Sequence, residues 1–223
     1  MISIAIDGPS GSGKSTLANT LAEKLGFVHL DTGAIYRTVA LYVIEKGVSP
    51  KDTDGVVDLI GKTDISEIKI EHVGGVQRMI LDGEDVTGYI RTSEISAAAS
   101  TVSAIPAVRT FLLELQRDFA RHNNVIMDGR DIGTVILPNA TVKFFMTASD
   151  DARAERRLAE LVEKGENITL EAVKAAMAER DKNDRTRKTA PAVPADDAIM
   201  LDNSGAFEDT VAKAMKIIKE KTA

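Results

Sequence analysis

The chain has 223 residues, 43% of them hydrophobic and 28% charged, with a formal net charge of −6. Size and composition are those of a globular protein with one core and room for insertions. The negative charge argues against a general nucleic-acid or anionic-membrane surface, and the absence of cysteine excludes disulfides, thiol nucleophiles and thiolate metal sites. No apolar run approaches the roughly 20 residues of a membrane span, and the start MISIAIDG lacks a cationic flank and a cleavage site, so a cytoplasmic protein without a membrane partner is expected. His29, His72 and His122 are too widely spaced for a local metal motif. Any anionic ligand must be drawn by local arginines.

Ile2 to Ile6 predicts a short buried strand, after which Leu17, Ala18, Leu21, Ala22 and Leu25 fall on one helical face that Gly26 terminates. Phe27 to Leu30 predicts a second strand, followed by a helical stretch through Tyr36, Ala40 and Ile44 to Gly47. From Asp64 to Thr87 the texture changes: Ile68 and Ile70 alternate with charges, and Gly74-Gly75 and Asp82-Gly83 are hairpin turn signals, so a small antiparallel insert is expected. Helical periodicity returns over Ser93 to Ser103 and again from Pro106, a favoured first helical position, to Phe119. Val125 to Met127 and Val142 to Met146 predict two further buried strands. Asp150 to Lys164 and Leu170 to Lys182 predict helices, Ala190 to Ala195 a loop, Ala198 to Leu201 a last strand, and Phe207 to Ile218 a terminal amphipathic helix. Short apolar strands alternating with helices imply an α/β fold with a parallel sheet.

Gly8 to Ser15, GPSGSGKS, matches G-x-x-x-x-G-K-[ST] and lies between a predicted strand and a predicted helix, where such a loop works. Glycines let backbone N–H groups turn inward around a phosphate, and the helix N-terminus adds roughly half a positive charge. Lys14 would reach the β and γ phosphates and Ser15 would ligate Mg²⁺. The loop alone does not choose between a switch, a motor and a kinase.

DTGAIYR, Asp31 to Arg37, places Tyr36 and Arg37 one turn into the helix after the second strand, and Val125 to Asp131 is a strand running into Asp128, Gly129, Arg130 and Asp131. Ligands of open parallel sheets bind outside the carboxyl ends of strands, so both segments are candidates for binding; the plainer readings are a Thr-Gly turn with a surface tyrosine and arginine for the first and a strand-end turn whose charges face water for the second. Arg180, Asp184 and Arg187 share a helical face that reads either as a site or as solvated ion pairs. Arg153, Arg156 and Arg157 read as a solvated face or as a mobile lid.

GPSGSGKST, DTGAIYR, DGRDIGTV and RDKNDRTR occur in the order and at the separations of bacterial cytidylate kinases, and the chain resembles that family from Ile2 to the terminal helix. The resemblance implies a P-loop NTPase, three-layer α/β/α, with a five-stranded parallel core sheet, a nucleoside-monophosphate (NMP) domain carrying the β insert, and a short lid. The core would comprise 1–31, 105–149 and 166–223, the NMP domain 32–104 with its insert at about 64–88, and the lid 150–165. The implied reaction, part of pyrimidine nucleotide metabolism, moves the γ-phosphoryl of ATP onto CMP or dCMP. Gly8, Pro9, Ser10, Gly11, Ser12, Gly13, Lys14, Ser15 and Thr16 would hold ATP, with Mg²⁺ as cofactor on Ser15. Apart from the resemblance, the place of Asp128 at the end of a predicted buried strand makes it a candidate outer-sphere partner of the ion. Arg37, Arg130 and Arg187 would clamp the CMP phosphate, Lys14 and Arg157 would neutralise the transferring group, and Arg180 and Asp184 would take the sugar. Thr32 and Tyr36 complete the CMP set.

Base selection is implied for Ser100, Arg109 and Asp131. Cytosine offers an amine donor beside N3 and O2 acceptors, so a carboxylate suits the amine and an arginine the acceptors. No general base is needed, because a phosphate monoester with a second pKa of about 6 is already mostly dianionic at neutral pH. The chain is expected to be a monomer. Alternatives are a P-loop kinase acting on UMP, AMP, shikimate or dephospho-coenzyme A, or a nucleotide-dependent switch; the latter lacks a guanine-selecting N-K-x-D after a strand.

Overall fold

The computed structural model describes residues 1–163 and 165–222; Lys164, within the expected lid, and Ala223 lie outside the described residues. In chain order the elements are β1 (Ser3–Asp7), α1 (Lys14–Leu25), β2 (Val28–Asp31), α2 (Thr32–Glu45), α3 (Thr53–Lys62), β3 (Ile68–Val73), β4 (Val76–Leu81) and β5 (Glu84–Asp85). They continue with α4 (Ser93–Val102), α5 (Pro106–His122), β6 (Val125–Gly129), β7 (Val142–Thr147), α6 (Asp150–Glu163), α7 (Leu170–Thr186), β8 (Ile199–Asp202) and α8 (Phe207–Thr222). The chain divides into two compact units, Val28–Val125 with Met1, and Ile2–Phe27 with Ile126–Ala223.

The second unit holds a parallel sheet with the strand order β6-β1-β7-β8; β2 belongs to the first unit. β1 pairs with β7 from Ile4 opposite Val142 to Asp7 opposite Phe145, and β7 with β8 from Phe144 opposite Ile199 to Thr147 opposite Asp202. A strand flanked on both sides must be apolar throughout, which is why Ile4, Ala5 and Ile6 are consecutive and fully buried. Leu17 and Leu21 of α1 and Val211, Ala214 and Ile218 of α8 close over Ile4, Ile6, Phe144 and Leu201. Each large side chain so buried stabilises the fold by about 1.5–3 kcal/mol. A smaller cluster, Ala154, Leu161, Val173 and Met177, packs α6 onto α7.

In the first unit Asp31, Asp52 and Thr92 cap α2, α3 and α4 by accepting from the N–H groups of Ala34, Gly55 and Ile95. The insert is a three-stranded antiparallel sheet, β3-β4-β5, with Val73 opposite Val76 around the Gly74-Gly75 turn.

Two features go beyond the sequence reading. Helix α3, interrupted by Gly55 and Gly61, buries only Val56 and Ile60 and so gives little periodic signal. Helix α7 continues past Lys182 to Thr186, because Asp184 is buried and held from another element. Among the described residues no single helix is long and apolar enough to cross a membrane.

Candidate functional site

The loop between β1 and α1 is shaped by its glycines. Gly8 has φ +145, and a Cβ there would run into the carbonyl oxygen of Met146 on β7; Gly13 has φ +93, and a Cβ would lie 2.6 Å from Asn203 Nδ2. Asn203 earns that proximity: it donates from Nδ2 to the Ser12 carbonyl at 2.9 Å and is itself oriented by Thr210, whose hydroxyl donates to Oδ1 at 3.1 Å. Lys14, the first residue of α1, is 6% exposed and donates from Nζ to the Pro9 carbonyl at 2.7 Å and to Ser12 Oγ at 3.4 Å. Burial, reinforced by the nearby charge of Arg130, pushes its pKa down to about 7; Arg180 acts in the same direction, against the opposing charges of Asp128 and Asp7. A buried lysine crowded by two guanidinium groups is a place where an added polyanion is stabilised.

The end of β6 delivers three more polar side chains, Asp128, Arg130 and Asp131. Ser15 donates to Asp128 Oδ2 at 2.7 Å, and Asp128 is 3% exposed. The hydroxyl keeps its oxygen lone pairs in that bond, so the two residues offer the hard oxygen donors that Mg²⁺ takes. Asp7, at the end of β1, accepts from the backbone N–H groups of Ile132 at 2.8 Å and Gly133 at 2.7 Å, fixing the π-helical turn Ile132–Ile136 that follows Arg130 and Asp131. Burial raises Asp7 to about 6, opposing the effect of those two N–H groups. Arg130 donates from Nε to Asp184 Oδ2 at 3.0 Å, and Arg187 donates from Nη2 to Asp131 Oδ1 at 3.2 Å and from Nε to the Ala190 carbonyl at 2.6 Å. Arg180 and Asp184 lie on α7 and Arg187 caps its end, with Asp184 and Arg187 bonded to the residues at the β6 terminus; Lys182, Asn183 and Arg185 on the same helix are exposed.

Three arginines of α6 have separate surroundings. Arg157 pairs with Glu160 at 3.0 Å. Arg156 donates to the Asn203 carbonyl at 2.7 Å, and Arg153, 7% exposed, donates to the Ser10 carbonyl at 2.9 Å and to Asp181 Oδ2 at 2.6 Å. Sequence reasoning assigned no role to Asp7, Asp181 or Asn203; a polar residue directly after a buried apolar run is the signal that points to Asp7, whereas Asn203 follows the exposed Asp202 and carries no such signal.

In the first unit, Asp31 Oδ1 caps α2 while Oδ2 receives Arg37 at 2.9 Å and Arg91 at 3.3 Å. Two guanidinium groups thus share one carboxylate at a helix N-terminus, which leaves net positive charge beside Thr32 and Arg37. The Arg109 guanidinium lies 5.4 Å from the centroid of the Tyr36 ring and donates to the Ser103 carbonyl at 3.3 Å, and the Ser103 hydroxyl donates to the Ser100 carbonyl at 3.0 Å. Tyr36, Ser100 and Arg109 are so linked; Asp131, expected to share base selection with them, belongs to the second unit.

Comparison with known proteins gives the family. Residues 4–220 match the model of the family described as cytidylate kinase. A cytidylate kinase from Carboxydothermus hydrogenoformans is 47% identical over 98% of this chain and 97% of its own length, and one from Caldicellulosiruptor bescii is 46% identical over 97% and 95%. In fold, the chain is similar to the crystal structure of an uncharacterized protein from Eubacterium ventriosum, with a TM-score of 0.50, 14% identity and 98% of both chains covered. A family match over nearly the whole chain, with a phosphate loop and arginine-rich strand ends in place, means that this chain belongs to the cytidylate kinase family.

Proposed function

We propose that this protein is a phosphotransferase that moves the γ-phosphoryl group of ATP to the 5′-phosphate of CMP or dCMP, giving ADP and CDP or dCDP. Within a cytidylate kinase family chain, the observation that carries the reading is the buried Lys14 in the phosphate loop, its charge disfavoured by Arg130 and Arg180 and awaiting a polyanion. An acceptor phosphate oxygen attacks the γ phosphorus, that P–O bond forms, and the bond to the β–γ bridging oxygen breaks with ADP as leaving group. Charge spreads over the equatorial oxygens, so cationic contacts and positioning supply most of the acceleration.

In this reading residues Gly8 to Thr16 hold the ATP phosphates, Lys14 and Arg157 neutralise the transferring group, and Arg37, Arg130 and Arg187 hold the acceptor phosphate. Arg130 and Arg187 are parked on Asp184 and Asp131, carboxylates that release them to a dianion and then turn to the sugar hydroxyls and the cytosine amine. Arg180 joins Asp184 on the sugar, and Ser100 and Arg109 complete base selection beside Thr32 and Tyr36. Ser15 and Asp128 would hold Mg²⁺, directly and through water, and the ion when bound offsets phosphate charge. The proposal includes the division into core, NMP domain 32–104 and lid 150–165, a cytoplasmic monomer, and no nucleic-acid or membrane partner. A coupled assay over a panel of monophosphates tests it: CMP and dCMP are expected far above UMP and AMP, and equal rates, or ATP turnover indifferent to any monophosphate, would overturn it.

A further inference from the structure

Arg153 and Asp181 have no part in the transfer just described, yet they are the most heavily engaged charges against the donor loop. Ser10 donates its backbone N–H to Asp181 Oδ1 at 3.3 Å, Asp181 Oδ2 receives Arg153 Nη1 at 2.6 Å, and the same Nη1 donates to the Ser10 carbonyl at 2.9 Å. The result is a closed ring through both backbone groups of Ser10. Arg153 Nη2 is occupied by Asp150 at 2.5 Å, and the side chains of Arg153 and Asp181 are 8% and 16% exposed, so the ring is largely dry. The loop rests directly on the helices beside it: a Cβ on Gly11 would lie 3.0 Å from the Arg153 carbonyl oxygen and 3.0 Å from Met177 Cε. Helices α6 and α7 share their own apolar cluster and so hold Arg153 and Asp181 in register.

Helix α7 also carries Arg180, next to Asp181 and close enough for its charge to act on Lys14, and Asp184, which holds Arg130. A shift of the loop around Ser10 must either break the ring, giving up both backbone hydrogen bonds of Ser10 to charged side chains, or draw α7 with it. A cavity of about 400 Å³ lined by Pro9, Arg153, Asp181, Asp184, Val193 and Met200 borders both the helix and the loop. We propose that Arg153 and Asp181 are positioning residues that tie the donor loop at Ser10 to the acceptor residues of α7, so that ATP and CMP each tighten the binding of the other. The inference rests on the kinase reading above, which supplies the two ligands.

The test is calorimetric binding of the non-hydrolysable β,γ-imido analogue of ATP, with and without saturating CMP, to the wild type, Asp181→Asn and Arg153→Lys. In the wild type CMP is expected to tighten analogue binding by about fivefold or more, and in both variants that factor falls toward one. A purely structural role lowers both affinities and leaves the factor at its wild-type value, which would overturn the proposal, as would a wild type without coupling. Should the variants fail to fold, amide exchange on the wild type decides: CMP alone slows exchange over residues 8–13, and unchanged exchange there refutes the link. A wild type that turns over CMP while the variants keep full coupling refutes this inference alone; a wild type that ignores CMP refutes the kinase reading instead.

Discussion

Lys14 and the arginines around it set the clearest expectations for single residues. A lysine pushed down to about 7 is only about one-tenth charged at pH 8, whereas beside a polyphosphate it is held protonated. ATP binding at pH 8 should therefore take up close to one proton, and affinity should fall by up to about tenfold per unit of pH above 7. Calorimetry in buffers of different ionisation enthalpy measures the uptake, and Lys14→Met should abolish it. Arg130→Ala and Arg187→Ala should each lower kcat/KM by about a hundredfold or more, because each takes one cation from beside a buried carboxylate and removes a charge-assisted contact to the acceptor. Asp131→Ala should instead narrow the CMP-to-UMP ratio, read from kcat/KM for the two acceptors. An Arg130→Ala protein with wild-type turnover would remove this residue from the phosphate clamp.

At the scale of elements, the parts legible in the sequence are those whose partners are near in the chain or whose pattern is dense. The loop spacing from Gly8 to Ser15, the unbroken apolar runs of β1 and β7, and the Gly74-Gly75 turn of the insert each carry their own reason locally. What was illegible depends on distant neighbours. Three arginines fall within five positions on α6, and only packing decides that Arg153 and Arg156 turn to the loop and to Asn203 while Arg157 stays with Glu160. Asp7 reads as the first residue after a strand, and its partner Ile132 is 125 residues further on. Residues 180–187 are densely charged, and burial alone separates Asp184 from Arg185. The contact of Gly13 with Asn203 gives an element-level prediction: Gly13→Ala must displace β8's following residue or distort the loop, at a cost of about 1–3 kcal/mol. KM for ATP is expected to rise at least about tenfold, and a urea titration reports the stability loss.

For the molecule as a whole, the buried carboxylate of Asp7 makes stability depend on pH with a definite sign. Its pKa is raised in the fold, to about 6 from an ordinary value of 3.8, so the fold favours the protonated form. The stabilisation this brings is complete below pH 3.8 and is lost as pH rises through 6, a change of about 3 kcal/mol over that window. Subtracting the urea-unfolding free energies of Asp7→Asn from those of the wild type at pH 4.5 and 7 isolates the effect; a difference that does not change with pH would contradict it.

The bond from Lys14 to the Pro9 carbonyl bears on how fast and how cleanly a nucleotide is received. A lysine that is free in solution surrenders on the order of 1.5–2 kcal/mol of side-chain rotamer entropy when it is fixed. Here that freedom is already gone in the folded loop, held by an oxygen of the protein's own backbone. An arriving phosphate therefore exchanges one oxygen partner for another and orders nothing new, so mutations that release the lysine from Pro9 should slow productive capture without removing the charge.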